Sequence, residues 1–167
     1  MKSDVRGSVT IRSFVTNDRV QAARLFEDFQ DYLIAMDPLD RLCRLPGYGE
    51  SYVAKTVAET MQEGIFNVAE IDGSLIGLVA GYVKRQKPED LTGHVPSVVG
   101  WVTELYVSPE VRGGGVGVML LEAAEDSFRG SGCDVSRLAV FAPNFLARHF
   151  YDRQGYGERD VELIKGL

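Results

Sequence analysis

The stretch Val111 to Gly117, VRGGGVG, puts four glycines in seven residues directly ahead of apolar residues at helical spacing. Each glycine that is ordered costs about 0.5 to 1 kcal/mol of backbone entropy relative to alanine, so the run needs an offsetting gain. A helix start offers one. Its first N–H groups lack intrahelical acceptors and lie at the positive end of the macrodipole, which attracts an anion. Glycine lets the backbone approach that anion closely, and the preceding YVSPE completes a strand, loop and helix unit of the kind that cradles a diphosphate. The bland alternative is a flexible surface turn.

Two common phosphate motifs fail on inspection. GxxxxGK[ST] needs a lysine after the last glycine, where Val118 stands. GxGxxG needs glycine at 118 or 120, which are Val118 and Leu120.

Outward from the glycines, Val116, Val118, Met119, Leu120, Ala123, Ala124 and Phe128 predict a helix stopped by RGSGC. Upstream, VGWVTELYV reads as a fourth strand after the polar loop RQKPEDLTGHVPSV. IFNVAEI and SLIGLVAGYV flank Asp72-Gly73, a strong hairpin signal. SVTIRSF reads as a first strand, and helices are expected from about Val20 to Met36 and from about Glu50 to Gln62. Downstream come a fifth strand, SRLAVFA, a short helix in NFLARHFYDRQ ended by Gly155, and a further strand in DVELIKG. The order β-α-α-β-β-β-α-β-α-β is that of an α/β (α+β) fold, a mixed sheet with helices on both faces.

At 167 residues and 45% hydrophobic composition, the chain is expected to form a single domain over 1–167. It has no apolar run of signal-peptide or membrane-span length, so a soluble, cytoplasmic protein with no membrane partner is expected. Cys43, Cys133, His94 and His149 stand outside any metal-ligand spacing, which argues against a metal. The net charge of -6 argues against nucleic acid and mildly favours a cationic small substrate.

Arg112-Gly113-Gly114-Gly115-Val116-Gly117 forms R-x-x-G-x-G between a strand and a helix, and resembles the acyl-CoA cradle of the GNAT-type N-acetyltransferase superfamily. A second element resembles the family's N-x-x-A-x-x-F-Y-x-x-x-G-[FY]: Asn144, Ala147, Phe150, Tyr151, Gly155 and Tyr156 occupy its positions. The resemblance implies a mostly antiparallel sheet and acetyl-CoA as cosubstrate, with Arg112 to Gly117 and Asn144 at the cofactor. It also implies that main-chain groups of Leu105, Tyr106 and Val107 pair with pantetheine, and that the Val107 N–H holds the thioester oxygen. Such pairing requires a split or bulged sheet between the fourth and fifth strands.

Asn144 and Tyr151 are seven residues apart, so they share a helix face about 10 Å apart along the axis. Asn144 also reads as a helix N-cap, and Tyr151 alternatively as core packing beside Phe150. By the resemblance Tyr151 contacts the CoA sulfur and serves as general acid, a task suited to a phenol that is neutral at pH 7. Glu104 is out of pattern among Trp101, Val102, Leu105 and Val107. It reads as an outward residue of a half-exposed strand, whereas the resemblance implies a catalytic base at this strand position, whose pKa burial would raise. His149 points about 200 degrees away from Tyr151 around the helix and is expected at the surface.

The expected function is acetyl transfer from acetyl-CoA to a primary amine by direct attack in a ternary complex. The amine is a small molecule or a peptide, and the reading admits a homodimer. Acceptor walls are expected from Tyr32 through Tyr52 and in RQKPEDLTGHVPSV, with Asp31, Asp37, Asp40 and Glu50 as partners for a cation. Two rivals stay open: a CoA-binding regulatory module without turnover, and a transferase of a longer acyl group.

Overall fold

A computed structural model describes residues 6–166; residues 1–5 and 167 of the expected single domain lie outside the described residues. Five strands form one sheet in the order β1-β2-β3-β4-β5, with β1 Thr10–Ser13, β2 Gly64–Ile71, β3 Ser74–Arg85, β4 Val98–Val107 and β5 Val135–Leu138. The first four pair antiparallel and β5 joins β4 in parallel, which gives the mixed, mostly antiparallel α/β sheet expected. The hairpin between β2 and β3 turns at Asp72 and Gly73, both at positive φ (48° and 80°), the geometry of a two-residue turn that matches strand twist.

Helices α1 Arg19–Ile34 and α2 Tyr48–Thr60 cover one face, where Ala22, Phe26 and Val53 pack on Phe66, Val68, Leu78 and Tyr106. Helix α3, Val116–Gly130, covers the other through Leu120, Leu121, Ala124 and Phe128 against Ala69, Val79 and Val102. The strands bring glycines to α3: a Cβ on Gly100 would lie 2.3 Å from Phe128 Cγ, and one on Gly81 2.9 Å from Phe128 Cζ. Those strand glycines mark a close approach of helix to sheet. Helix α4, Phe145–Arg153, follows β5 and packs Phe150 and Tyr151 onto the α3 side.

Helix α2 starts and ends two residues earlier than the sequence pattern puts it, and three further assignments depart as well. Helix α1 ends at Ile34 rather than Met36, and Asp37 then accepts the N–H groups of Leu39, Arg41 and Leu42, fixing a turn. Strand β5 ends at Leu138, so Ala139 to Ala142 leave the ladder. DVELIKG forms no strand. Its alternating Val161 and Leu163 find no sheet face to cover and remain 72% and 90% exposed, while Asp160 and Glu158 are held by Arg137 and Arg148.

Asp18, buried at the start of α1, receives two hydrogen bonds from Arg12 and one from the Val15 N–H, and Arg12 also reaches Glu70 on β2. The Arg12 hydrogen bonds hold the Asp18 carboxyl below its ordinary value, against the opposing effect of burial. Its unfolded value is about 3.9, so this contribution to stability is complete above about pH 4 and lost as pH falls through the depressed folded value. Asp18→Asn is expected to cost about 1 to 3 kcal/mol at pH 7 by urea denaturation, with the deficit shrinking as pH falls below about 4. A deficit independent of pH would contradict this account.

Candidate active site

Strands β4 and β5 pair from Val99 and Val135 to Val102 and Leu138, and then part. Beyond Val102 the outer edge of β4 is open. Ser108 N–H donates to the Ile76 carbonyl at 2.9 Å, and the register sets Tyr106 opposite Leu78 and Glu104 opposite Ala80. By antiparallel alternation, Tyr106 and Glu104 turn their main-chain groups to β3, whereas Leu105 and Val107 turn theirs to the opening. The Val107 carbonyl accepts from Arg112 Nε at 2.8 Å, which leaves the Val107 N–H and both groups of Leu105 on the open edge. Of the three residues expected to offer main chain, Tyr106 therefore keeps its main-chain groups in the ladder with β3.

The split thus falls where the sequence reading required one, and a bulge lies on the other side of β4. Ala80 pairs with Glu104 but Gly81 with Val102, so Thr103 is the extra residue. A bulge reverses the alternation of faces. Val102, Leu105 and Val107 accordingly pack on the α3 side, and Glu104 turns with Tyr106 toward α1 and α2.

A cavity of about 510 Å³ fills the split, bounded by Leu105, Tyr106 and Val107 of β4, by the glycine loop, by Asn144, Ala147, Phe150 and Tyr151, and by Phe29 and Tyr32 of α1. Gly113 and Gly115 adopt φ of 84° and 88°, a region costly for any residue with a Cβ. Buried Gly114 bonds its N–H to the Val111 carbonyl. Gly115 caps α3 with no side chain, and no acidic residue occupies the first turn. The N–H groups of Val116 and Gly117 have no intrahelical acceptor there. Arg112 and Arg153 both line the cavity, and Arg153 was not apparent from the motifs.

Asn144 is the N-cap of α4: its Oδ1 accepts from Ala147 N–H at 3.1 Å and from the Tyr32 hydroxyl at 3.2 Å. Because an N–H must find an oxygen, these bonds fix the amide orientation and leave Nδ2 as the spare donor of a residue that lines the cavity. Tyr151 stands edge-on to Phe150 and Tyr156, with ring centroids 5.1 and 5.8 Å away, so its packing role holds as well. Among the described residues its hydroxyl has no hydrogen-bond partner, and burial pushes its pKa above the ordinary phenol value, with the charges of Tyr156 and Glu104 adding to the rise. It remains a proton donor across neutral pH. Tyr156, the last residue of the downstream motif, is structural: its hydroxyl pairs with Ser136 Oγ at 2.6 Å and donates to Glu125 at 2.9 Å, tying the end of α4 to β5 and α3. His149 is exposed.

Glu104 does not line the cavity. It is largely buried on the α1/α2 side, where burial pushes its carboxyl up to about 7, against the nearby Tyr52 hydroxyl and Lys55, which favour the charged form. Tyr52 stacks on Tyr48, 5.0 Å between centroids, and carries the Lys55 ammonium 4.7 Å over its ring. Glu104 and Tyr151 thus flank the open edge of β4 from opposite faces. The carboxylates expected to receive a cation are mostly engaged within the chain. Asp31 pairs with Arg44 at 2.7 Å, Asp37 holds its turn, and Glu50 meets Arg19 at 3.5 Å. Asp40 is exposed, at a φ of 51°. No group of three or more metal-ligating side chains occurs among the described residues, and no helix among them is long and apolar enough to cross a membrane.

The chain belongs to the acetyltransferase (GNAT) family, whose model matches residues 23–156. An uncharacterized N-acetyltransferase of Methanocaldococcus jannaschii is 37% identical over 103 residues, which is 61% of this chain and 58% of that relative. A tetramutant of the BH1408 protein from Bacillus halodurans superposes with a TM-score of 0.83 at 19% identity, covering 95% of this chain and 99% of the other. Aminoglycoside N-acetyltransferase AAC(6')-Iy, solved in complex with CoA, gives a TM-score of 0.70 at 16% identity over 95% and 94% of the two chains. The two structural likenesses concern the fold alone.

Proposed function

We propose that this chain, as a single N-acetyltransferase domain over 1–167, transfers the acetyl group of acetyl-CoA to a primary amine by direct attack in a ternary complex. The observation that carries the reading is the cavity in the split between β4 and β5, which joins an open strand edge to a glycine-built helix start. That combination suits the two parts of a CoA thioester. An amide-rich arm matches the free main-chain groups of Leu105 and the spare donor of Asn144, and the Val107 N–H is left for the thioester oxygen. A diphosphate matches the N–H groups of Gly113, Gly115, Val116 and Gly117, with Arg112 and Arg153 adding positive charge. The fold likeness to a transferase solved with CoA supports the same donor.

Glu104 takes the proton that an ammonium must lose, directly or through water. The freed nitrogen attacks the thioester carbonyl carbon, the Val107 N–H stabilises charge on the oxygen, and the C–S bond breaks as Tyr151 gives its proton to the leaving sulfur; the extra proton left on the new amide nitrogen passes to water, and the Tyr151 phenolate regains one from water. Base and acid act from opposite faces of β4, as amine and thioester would approach. The amine is a small molecule or a peptide terminus, the protein acts in the cytoplasm, and no metal takes part.

Tyr151→Phe is expected to lower kcat about 10² fold while leaving the calorimetric affinity for CoA within a factor of about three. Wild-type turnover in the variant would remove the acid role. A thiol-release assay over an amine panel, run with acetyl, propionyl and succinyl thioesters, tests the reaction itself. Binding without release of thiol for any amine would favour a regulatory module, and faster release from a longer thioester a different acyl donor.

A further inference from the structure

Tyr32 enters the sequence reading only as the boundary of an acceptor wall, yet its side chain reaches the cofactor side of the cavity. From the last turn of α1 its hydroxyl donates to Asn144 Oδ1 at 3.2 Å. It is the sole hydrogen bond among the described residues that joins α1 to α4 or its cap. The face of the same ring lies 4.8 Å from the Arg112 guanidinium carbon, which is 5.4 Å from the Tyr106 ring on its other contact. Arg112 is further fixed by its bond to the Val107 carbonyl on the open edge. One phenol therefore touches a polar group from each side of the split, Asn144 from α4 and Arg112 from the glycine loop.

We propose that Tyr32 is a positioning residue of the cofactor site, acting through Asn144 and Arg112 to hold the two sides of the split at the spacing a CoA thioester needs. The inference rests on the reading of this cavity as an acyl-CoA site. Its logic is local. β4 and β5 no longer pair past Val102 and Leu138, so the sheet ladder does not set the distance from β4 to the start of α4. The Asn144 cap needs Oδ1 for Ala147, and a second donor on the same oxygen pins the amide, leaving Nδ2 as the spare donor of a residue that lines the cavity. Asn144 is buried and keeps the Ala147 bond without Tyr32, so α4 keeps its cap when the Tyr32 hydroxyl is lost.

The test is a double-mutant cycle on CoA affinity and on the steady-state constants, using Tyr32→Phe, Asn144→Ala and the pair. Tyr32→Phe is expected to weaken CoA binding and raise the KM for acetyl-CoA about tenfold, with kcat at saturation unchanged, because neither Glu104 nor Tyr151 is touched. In the Asn144→Ala background the same change is expected to have an effect under about twofold. Equal losses in both backgrounds, or an unchanged CoA affinity in Tyr32→Phe, would overturn the inference. A thermal midpoint within a few degrees of wild type in Tyr32→Phe is required, and Tyr32→Leu, which removes the ring over Arg112 together with the hydroxyl, separates stacking from hydrogen bonding. If the wild-type protein binds no CoA, the reading of the cavity fails before that of Tyr32 is reached.

Discussion

Glu104→Gln is expected to lower kcat/KM for the amine by about 10² to 10³ fold at pH 8 and to remove the inflection near pH 7 from the pH profile, leaving only the one set by the amine. The magnitude is that of a general base. The sign follows from the carboxyl standing near 7: the wild-type rate falls as pH drops through that value, because the protonated acid no longer accepts a proton. Glutamine keeps the shape and cannot titrate. The variant's rate then depends only on the free fraction of the amine, so its deficit is largest between about pH 7 and the pKa of the acceptor. Stability moves the other way. A carboxyl raised by burial makes folding less favourable as pH rises from its unfolded value toward 7, so the variant is expected to melt no lower than wild type at pH 8. Loss of activity with an intact thermal midpoint separates chemistry from folding, and an unaltered pH profile would rule out the base.

Gly115→Glu is expected to reduce CoA affinity by more than about 10² fold, measured by calorimetry. Two effects add. At a φ of 88° any side chain costs about 1 to 2 kcal/mol, and a carboxylate at the helix cap opposes the positive end of the dipole where a diphosphate is proposed to sit. Gly115→Ala carries the backbone strain without the charge and is expected to lose about tenfold. If the two variants bind alike, charge at the cap is irrelevant to CoA. If neither loses affinity, the loop is not the diphosphate site.

The sheet, its hairpin and the glycine loop were legible because each rests on a local rule. Asp72-Gly73 can make its turn at positive φ, and Gly113 and Gly115 adopt a conformation that few other residues tolerate. The face of Glu104 was not legible. Simple alternation groups it with Val102, and only the unpaired Thr103 turns it toward Tyr52 and Lys55. A bulge depends on how two strands settle together, which β4 alone does not encode. Arg153 and Tyr32 escaped for a related reason, since their positions at the cavity depend on distant elements. The short β5 has a plainer cause: SRLAVFA has strand composition throughout, but a strand needs a neighbour, and β4 turns away after Val102. The reverse happened to the acidic residues of the presumed acceptor wall, whose composition suggested a cation site. Arg44, Arg19 and the turn after α1 engage three of them.

The most direct measurement is a crystal structure of the protein grown with acetyl-CoA. The account predicts diphosphate oxygens within hydrogen-bond distance of the N–H groups of Gly113, Gly115, Val116 and Gly117, and the pantetheine arm paired to Leu105 in the split with the thioester oxygen at the Val107 N–H. A bound cofactor lying elsewhere, with those amides turned to solvent or to neighbouring protein, would contradict it.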